Sequence, residues 1–341
     1  MVADVRQMFE GKRVLVTGGL GSIGSEIVKK LVQYGVQRIT VIDNRETELH
    51  FGQLQNKDER VFFEFADVRD FSKINELMKA ADIVFHAAAM KHVIICEQHP
   101  YDAIQTNIIG TKNIIEAAIS NDIQKVILIS TDKAVNPTNV MGATKLLAEK
   151  LIAALVMANR PSKTAFGVVR FGNVLNSRGS VLEIWGQQLA RGEPITVTDP
   201  EMTRFFMSVS QSVDLIFSAS RYAKQGETFV LKMSSVKLKD LAKAFLKAKN
   251  LDPETVKIVG RQKGEKMHEE LILETEDDHI YENKEMFVSL PAFISNERIS
   301  ELKKDGFQES SITQFKSNNV SFLLKSAEID ALLSVELAKQ N

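Results

Sequence analysis

The fold of this chain is decided by the stretch Val14-Leu15-Val16-Thr17-Gly18-Gly19-Leu20-Gly21-Ser22-Ile23-Gly24-Ser25-Glu26. A short apolar run leads into Gly18, Gly21 and Gly24, and a helical pattern of apolar residues follows at once. This spacing predicts a strand, a phosphate-binding turn and a helix, because glycine is needed where the backbone turns tightly and approaches a pyrophosphate. The unpaired N–H groups of Ser22 and Ile23 at the start of that helix would face the phosphates.

A second apolar run, Arg38-Ile39-Thr40-Val41-Ile42, ends in Asp43. An acidic residue about 20 positions beyond the glycines is where a ribose hydroxyl of a dinucleotide is held. The carboxylate of Asp43 would repel a 2′-phosphate, which favours NAD as the cofactor. Arg45 is close enough to accept that phosphate, so NADP stays open.

Further apolar runs alternate with helical patterns up to residue 174, which gives six predicted strands. This alternation predicts an α/β fold built on a Rossmann-type, doubly wound parallel sheet. Ligands bind such a sheet at the carboxyl ends of its strands. Polar or small residues follow three of the predicted strands, as Asp67-Val68, His86-Ala87-Ala88-Ala89 and Ser130-Thr131-Asp132-Lys133.

These strand ends carry the first candidate site residues. Asp67 either hydrogen-bonds an adenine amino group or caps the following helix. The alanines after His86 leave room for a cofactor beside the backbone, and His86 is interpreted as a packed histidine because no second metal ligand stands at a matching spacing. Four consecutive polar residues, 130–133, at the end of a buried strand favour a reaction site.

The chain is divided by the same pattern into two predicted parts. Residues 1–175 form a predicted NAD(P)-binding Rossmann domain, to which residues 206–232 return, and residues 176–341 form a smaller mixed α/β domain for the substrate. The second part carries several arginines in loops before helices, which suits a diphosphate group.

The composition excludes several classes of protein. The 341 residues include 43 Lys and Arg against 44 Asp and Glu, a formal charge of −1, so neither nucleic acid nor an anionic membrane is favoured as a partner. The apolar stretches are too short to span a bilayer, and the N-terminus has no signal-peptide pattern. Cys96, the single cysteine, excludes an intrachain disulfide. We therefore expect a soluble, cytoplasmic protein without membrane insertion.

The glycine turn, the His86-Ala87-Ala88 run, the Ser130-Thr131-Asp132-Lys133 run, the helix with Lys145, and Arg170-Phe171-Gly172-Asn173-Val174 together resemble the extended short-chain dehydrogenase/reductase superfamily. Within it, residues 130–145, 176–181 and 264–271 resemble the UDP-N-acetylglucosamine 4,6-dehydratases of polysaccharide biosynthesis. The likeness covers about residues 10–290. Many relatives carry an N-terminal membrane domain, and this chain resembles a soluble short form.

The resemblance implies a three-step reaction on UDP-N-acetylglucosamine or a similar UDP-HexNAc. The C4 hydroxyl is oxidised by hydride transfer to the nicotinamide, water is lost across C5 and C6, and the hydride returns to C6. The product is a UDP-4-keto-6-deoxy sugar. Because NAD, or NADP, is regenerated in each turnover, the cofactor should stay tightly bound.

In that reaction, Lys133 would be the base at C5 and Asp132 the acid at the C6 hydroxyl. Lys133 must then be neutral, and burial near the cationic nicotinamide and Lys145 would lower its pKa. Asp132 must be protonated, which burial favours. Thr131 would hydrogen-bond the 4-hydroxyl, and Lys145 would hold the nicotinamide ribose.

The superfamily pattern Tyr-x-x-x-Lys supplies a tyrosine as base for the 4-hydroxyl, but Met141 stands at that position here. A thioether cannot take a proton. This departure matches a subgroup of the dehydratases that serve deoxyamino-sugar routes. It leaves open whether water or Asp132 takes the 4-hydroxyl proton.

The motifs and the resemblance together assign three groups of site residues, and no metal site. The predicted catalytic group is Thr131, Asp132, Lys133, Met141 and Lys145. The predicted cofactor-binding group is Gly18, Gly21, Ser22, Ile23, Gly24, Asp43, Arg45, Asp67, Val68, Ala87, Ala88, Ala89, Asn107 and Lys145. The predicted substrate-binding group is Lys91, Thr131, Asn173, Arg178, Ser180, Val181, Arg204, Arg261 and Glu269.

Two alternatives stay open. One is a UDP-sugar 4-epimerase on the same scaffold, which needs no acid and base at C5 and C6. The other is a dinucleotide sensor without catalysis, which would have no use for Asp132 and Lys133. The helices near residues 100–120 and 140–158 are the dimer surface in the family, so a homodimer or larger homo-oligomer is expected. The face of C5 that receives the returning proton is left open.

Overall fold

One large sheet carries the candidate site at the carboxyl ends of its strands. The computed structural model describes residues 2–157, 163–274, 279–292 and 294–338. The strands are β1 Arg13–Thr17, β2 Arg38–Asp43, β3 Val61–Phe65, β4 Ile83–His86, β5 Lys125–Ile129, β6 Ala165–Arg170, β7 Asn173–Val174, β8 Ile195–Val197, β9 Thr203–Met207, β10 Gln225–Leu231, β11 Ser235–Lys237, β12 Val256–Ile258, β13 Glu270–Ile272, β14 Ile280–Glu282, β15 Met286–Ser289, β16 Gln308–Glu309 and β17 Phe315–Lys316.

The helices lie on both faces of this sheet and in a second layer. They are α1 Val2–Phe9, α2 Ser22–Gln33, α3 Glu46–Gln55, α4 Phe71–Met78, α5 Val93–Gln98, α6 Pro100–Ala103, α7 Gly110–Ser120, α8 Val140–Met157, α9 Val181–Ala190, α10 Val209–Tyr222, α11 Leu238–Ala248, α12 Asn296–Lys304 and α13 Ser326–Ala338. In the described ranges, no helix combines the length and the apolar character that crossing a membrane requires.

The strands of the main sheet follow the order β16–β14–β15–β10–β6–β5–β4–β1–β2–β3. β1 to β6 and β10 run parallel, and β15, β14 and β16 extend the sheet by antiparallel pairing. The order reverses between β1 and β4, so the loops after these strands open a crevice. The predicted α/β fold with a doubly wound parallel sheet is confirmed.

The alternation of side chains along β1 explains its central place. Val14 and Val16 pack into the apolar layer that includes α2 and α10, whereas Leu15 packs into the opposite layer with α7 and α8. All three side chains are buried, because helices cover both faces of a parallel sheet.

The helix predicted over 100–120 is interrupted. A π-helical turn, Ile104–Ile109, joins α6 to α7. It contains Asn107, which is 1% exposed and points toward the loop after β4. Such turns are frequent at functional sites, and apolar periodicity does not reveal them because the pattern shifts by only one residue.

The chain after β6 passes repeatedly between the main sheet and a second layer. β10 pairs in parallel with β6, and β15 and β14 add to its far side. The intervening segments place α9, α11 and α13 around a separate core that includes Trp185 and Phe245. Strands from both sides of the predicted domain boundary at residue 175 therefore belong to the same sheet.

Candidate active site

The turn between β1 and α2 forms a cradle that requires glycine. Gly18 has a φ of +62°, and a Cβ on it would lie 2.7 Å from the backbone nitrogen of Ala88. A Cβ on Gly24 would lie 2.3 Å from the carbonyl oxygen of Gly18. α2 begins at Ser22 with no side chain capping its first N–H groups, so these donors can serve an anion. The turn therefore fits the pyrophosphate of a dinucleotide.

Gly24→Ala is expected to weaken dinucleotide binding by about 10- to 100-fold, because the added methyl forces α2 away from the turn. Titration calorimetry with NAD on the two proteins measures this change in Kd. Gly186→Ala in α9 is the matched control: a Cβ there meets nothing within 4 Å, and binding should not change. An unaltered Kd in Gly24→Ala would contradict the role of the turn.

Asp43 is almost fully buried at the end of β2. Its two carboxylate oxygens accept from Nε and Nη2 of Arg45, each at 2.9 Å, and one of them also accepts from the N–H of Leu20 at 3.3 Å. The guanidinium of Arg45 further contacts Glu48 at 3.2 Å. The two residues that the sequence weighs for NAD and NADP therefore form one ion pair beside the glycine turn.

The two alternatives for Asp67 separate in the structure, because Asp70 caps α4 by accepting from the N–H of Lys73 at 3.0 Å. Asp67 instead pairs with Arg69 at 2.7 Å and accepts from the side chain of Asn44 at 3.2 Å. Burial would raise the pKa of Asp67, but its hydrogen bonds to Arg69 outweigh this and the pKa lies below its usual value. Its carboxylate stays charged near the end of β3.

A buried hydrogen-bond chain connects the ends of β1 and β4. Thr111 Oγ1 donates to the carbonyl oxygen of Asn107 at 2.7 Å, so it accepts from Nε2 of His86 at 3.1 Å. Nδ1 of His86 then accepts from Thr17 Oγ1 at 2.7 Å, and Thr17 accepts from the N–H of Ala88 at 3.3 Å. Burial, with the nearby charge of Lys145, lowers the pKa of His86 to about 3, so the ring is neutral. His86 is a packed histidine that fixes the loop Ala87–Ala89.

Asn107 ties the loop after β4 to α8. Its Oδ1 accepts from the N–H of Met90 at 2.8 Å, and its Nδ2 donates to the carbonyl oxygen of Met90 at 3.0 Å and to Thr144 Oγ1 at 2.9 Å. Both N–H donors of this amide are in use, so a cofactor could contact it without replacing a bond only through the second lone pair of Oδ1. The geometry gives Asn107 a positioning role.

The candidate catalytic residues lie in a 3₁₀ turn, Asp132–Ala134, directly after β5. Asp132 is fully buried, and its Oδ1 accepts from Thr131 Oγ1 at 2.8 Å and from Lys133 Nζ at 2.9 Å. Its Oδ2 is buried and has no hydrogen-bond partner among the described residues. Lys133 Nζ also reaches Asn173 Oδ1 at 3.3 Å. The structure therefore brings Thr131, Asp132, Lys133 and Asn173 together.

The charge on Lys133 differs from the sequence-based expectation. Burial alone would lower the pKa of Lys133, but the carboxylates of Asp132 and Glu269 outweigh it and hold the pKa above the usual value for lysine. The resting side chain is thus an ammonium ion. A neutral amine was expected from burial and from nearby positive charges. The sequence does not predict that the carboxylate of Glu269 lies beside Lys133, with its Oε1 3.7 Å from Nζ.

Lys145 and Met141 lie on the same face of α8 but in different surroundings. Lys145 Nζ donates to the carbonyl oxygen of Ile129 at 2.6 Å, and burial lowers the pKa of Lys145 to about 8 against the opposing charge of Glu149. Met141 is buried in a small apolar cluster with Cys96 and Ala103. Burial raises the pKa of the Cys96 thiol to about 11, so this cysteine is an inert packing residue.

The sequence did not predict a buried triad of Ser130, Glu149 and Arg170 behind the 3₁₀ turn Asp132–Ala134. Ser130 Oγ donates to Glu149, and Arg170 binds the same carboxylate through Nε at 3.0 Å and Nη2 at 2.6 Å. Glu149 stands four residues after Lys145, so helical spacing already predicts that they share a face. The pairing with Arg170 of β6 depends on tertiary structure alone.

The loop after β7 covers the glycine turn. The backbone N–H of Arg178 donates to Ser22 Oγ at 2.9 Å, and Lys91 Nζ donates to the carbonyl oxygen of Arg178 at 2.7 Å. Two residues after Arg178, Ser180 stands directly before α9, but its side chain does not cap the helix. The buried hydroxyl of Ser180 has no hydrogen-bond partner among the described residues. Of the predicted substrate contacts, Arg178 and Lys91 therefore lie beside the glycine turn, and Ser180 and Val181 follow Arg178 closely in the chain.

The remaining predicted substrate contacts differ in exposure. Arg261 is exposed, whereas Arg204 is nearly buried and donates to the carbonyl oxygens of Thr203 at 2.8 Å and Lys266 at 2.9 Å. Its Nε lies 3.8 Å from Glu269 Oε1. Arg204 thus holds the 266–269 loop against β9, beside the 3₁₀ turn Asp132–Ala134.

Comparison with known proteins places the chain among polysaccharide biosynthesis enzymes and related proteins. A family model described as polysaccharide biosynthesis protein matches residues 14–291. An uncharacterized membrane protein of Methanocaldococcus jannaschii is 47% identical over 297 residues, which cover 85% of this chain and 89% of that protein. The capsular polysaccharide biosynthesis protein CapD of Staphylococcus aureus is 43% identical over 81% of this chain, which spans only 47% of its length.

Two further similarities extend over most of both partners. A UDP-glucose 4-epimerase of Rickettsia bellii is 39% identical over 78% of this chain and 79% of its own length. The X-ray structure of Pen from Bacillus thuringiensis matches 97% of this chain and 99% of its own with a TM-score of 0.89 and 34% identity. On the family match and these relatives, the chain belongs to the polysaccharide biosynthesis protein family of extended short-chain dehydrogenases/reductases.

Proposed function

We propose that this protein is a UDP-N-acetylglucosamine 4,6-dehydratase with a nicotinamide dinucleotide cofactor. The observation that carries the proposal is the Asp132–Lys133 pair after β5, in which Asp132 is fully buried and Lys133 is partly exposed, with 2.9 Å between Oδ1 and Nζ. Oxidation at C4 needs one proton acceptor, whereas loss of water across C5 and C6 needs an acid and a base side by side. The pair supplies both in one turn of backbone.

The cofactor assignment is supported by the glycine cradle, the uncapped start of α2 and the buried Asp43. The first N–H groups of α2 would hold the pyrophosphate, Asp43 a ribose, and Lys145 the nicotinamide ribose. When bound, the dinucleotide accepts a hydride from C4 and returns it to C6. The carboxylate of Asp43 favours NAD, and its ion pair with Arg45 would have to rearrange to admit a 2′-phosphate.

The remaining steps are proton transfers by this chain. Thr131, which donates to Asp132 Oδ1 at 2.8 Å, would pass the 4-hydroxyl proton to that carboxylate. Lys133, once neutral, would take the proton from C5, which the new C4 ketone acidifies. Asp132 would then give its proton to the departing C6 hydroxyl, and Lys133 would return a proton to C5 as the hydride reaches C6.

Met141→Leu is expected to keep kcat within about threefold of wild type, because the swap conserves volume and no proton passes through sulfur. The apolar contacts with Cys96 and Ala103 support this expectation. Steady-state turnover of UDP-N-acetylglucosamine, followed by mass spectrometry, measures it. A folded Met141→Leu protein without activity would show that the thioether has a chemical role.

A UDP-sugar 4-epimerase remains the second candidate, because relatives with that name share 39% identity over 78% of the chain. Incubation with UDP-N-acetylglucosamine separates the two functions. A dehydratase yields a product lighter by one water and exchanges the C5 hydrogen with solvent deuterium. An epimerase yields a product of unchanged mass and leaves C5 protonated, and a dinucleotide sensor yields no product.

We also propose a homo-oligomer assembled through the segment from α5 to α8. This face carries large apolar side chains that the monomer leaves in solvent, namely Ile94, Ile95, Tyr101, Ile104 and Leu147. Exposed apolar patches of this kind mark contact surfaces. Light scattering of the purified protein gives the size of the assembly.

A further inference from the structure

Glu269 lies at the catalytic turn rather than at the protein surface. It is 3% exposed, and its Oε1 is 3.7 Å from Lys133 Nζ. Its Oε2 is buried without a hydrogen-bond partner among the described residues, and Lys266 Nζ lies 3.9 Å from it. A buried carboxylate oxygen without a donor is costly, so this arrangement calls for a functional explanation.

The ammonium group of Lys133 has three N–H donors. Two of them are directed to Asp132 Oδ1 at 2.9 Å and Asn173 Oδ1 at 3.3 Å. Glu269 Oε1 lies 3.7 Å from the same nitrogen, so a shift of about 0.5 Å would bring it within hydrogen-bond distance of the third donor. The lysine is therefore flanked by two carboxyl groups, and a proton can leave it in either direction.

The proposed dehydration needs both directions. Asp132 has to carry the 4-hydroxyl proton to the departing C6 hydroxyl, so it cannot also store the proton that Lys133 must lose to become a base. We propose that Glu269 takes this proton and is the positioning residue that converts Lys133 into an amine. The inference rests on the proposed function and deepens it.

The proton balance closes over one turnover. The N–H bond of Lys133 breaks and an O–H bond forms on Glu269, which leaves a neutral amine and a neutral carboxylic acid. Lys133 then takes the C5 proton and gives one back to C5, so it ends neutral. Asp132 gains the 4-hydroxyl proton and loses it to the leaving water. On product release, Glu269 returns its proton to Lys133.

The electrostatic surroundings suit a carboxyl group that changes its protonation. Burial raises the pKa of Glu269, and the positive charge of Lys133 lowers it. The negative charge of Asp132 raises it again, whereas Arg204 and Lys266 lower it. The resulting pKa lies above the usual value for glutamate. These four charged groups come from the 3₁₀ turn, β9 and the 266–269 loop. Glu269 can thus hold a proton more readily than an exposed carboxylate.

Glu269→Gln tests the proposal, because the amide keeps the shape and cannot accept a proton. With wild type shown to release water from UDP-N-acetylglucosamine, we expect kcat to fall about 10²- to 10³-fold with an unchanged KM. Exchange of the C5 hydrogen with solvent deuterium should fall in parallel, while the thermal midpoint and NAD binding stay unchanged. Glu270→Gln is the matched control, since Glu270 pairs with Lys316 at 2.8 Å and should not affect kcat.

Each alternative outcome is decisive. A raised KM with wild-type kcat would show that Glu269 contacts the nucleotide, and retained kcat and exchange would show that it is idle; both overturn the proposal. If Glu269→Gln unfolds, Glu269→Asp replaces it: the longer gap to Lys133 should slow C5 exchange at unchanged KM, and wild-type exchange would overturn the proposal. If wild type itself releases no water, the proposed function fails first.

Discussion

Lys133→Met is expected to lower turnover of UDP-N-acetylglucosamine by about 10³-fold or more while the dinucleotide stays bound. The methionine keeps an unbranched side chain as far as the ε position but removes the nitrogen that contacts Asp132 at 2.9 Å and Asn173 at 3.3 Å. The C5 proton then has no acceptor, and the carboxylates of Asp132 and Glu269 lose the cation between them. Both the acid and the base of the proposed elimination are disabled.

The measurement combines product mass, C5 deuterium exchange and the near-ultraviolet absorbance of reduced nicotinamide. We expect Lys133→Met to retain NAD binding and to form no dehydrated product. Asp132→Asn should behave alike, because the amide cannot protonate the leaving hydroxyl. Lys150→Met, on the exposed side of α8, is the matched control and should turn over normally. Substantial dehydration by both site variants would rule out the pair as acid and base.

Arg298→Met is expected to lower the free energy of unfolding by about 3–5 kcal/mol, because it leaves the buried carboxylate of Glu227 without its guanidinium partner. The side chains of Arg298 and Glu227 are 1% and 0% exposed, and Arg298 also donates to the carbonyl oxygen of Tyr222. This pair fastens α12 to the junction of α10 and β10, at the side of the sheet away from the glycine turn. Urea unfolding followed by circular dichroism measures the loss.

Two controls test whether the loss of stability in Arg298→Met comes from the unpaired buried charge of Glu227. Arg191→Met removes an ion pair with Glu193 whose side chains are about half exposed, and the free energy of unfolding should hardly change because water screens the pair. The double variant Glu227→Gln with Arg298→Met should recover part of the stability, because no buried charge is left unpaired. A loss in Arg298→Met no larger than that in Arg191→Met would mean that water reaches Glu227.

The sequence predicts the parts of the fold that depend on local pattern. Glycine spacing and the apolar run before it give β1, the turn and α2, and alternation of strands and helices gives the parallel sheet. The polar residues after β5 indicate the candidate site for the same reason, since the carboxyl ends of parallel strands share one edge of the sheet. The sequence does not predict that β14, β15 and β16 join the main sheet. These strands are too short to show a periodic apolar pattern, and β15 pairs with β10, which lies far from it in the chain.

The charges at the site are harder to predict than its location. Against the effect of burial, the pKa of Lys133 is raised first by its sequence neighbour Asp132 and then by Glu269, which the 266–269 loop and Arg204 of β9 hold in place. Likewise, Ser130 is held through Glu149 by Arg170, a contact between β6 and α8. Sequence spacing predicts which side chains leave a strand at its carboxyl end, but it does not predict which distant carboxylate will stand beside them.

The position of β6 in the sheet has a consequence for synthesis on the ribosome. β6 is an interior strand, yet its neighbour β10 begins only at Gln225, more than fifty residues later in the chain. Until that segment emerges, the nascent polypeptide presents an apolar strand with open backbone donors and acceptors to other chains. A fragment cut after residue 175 would keep this strand edge open, so we expect residues 1–175 to aggregate when expressed by themselves.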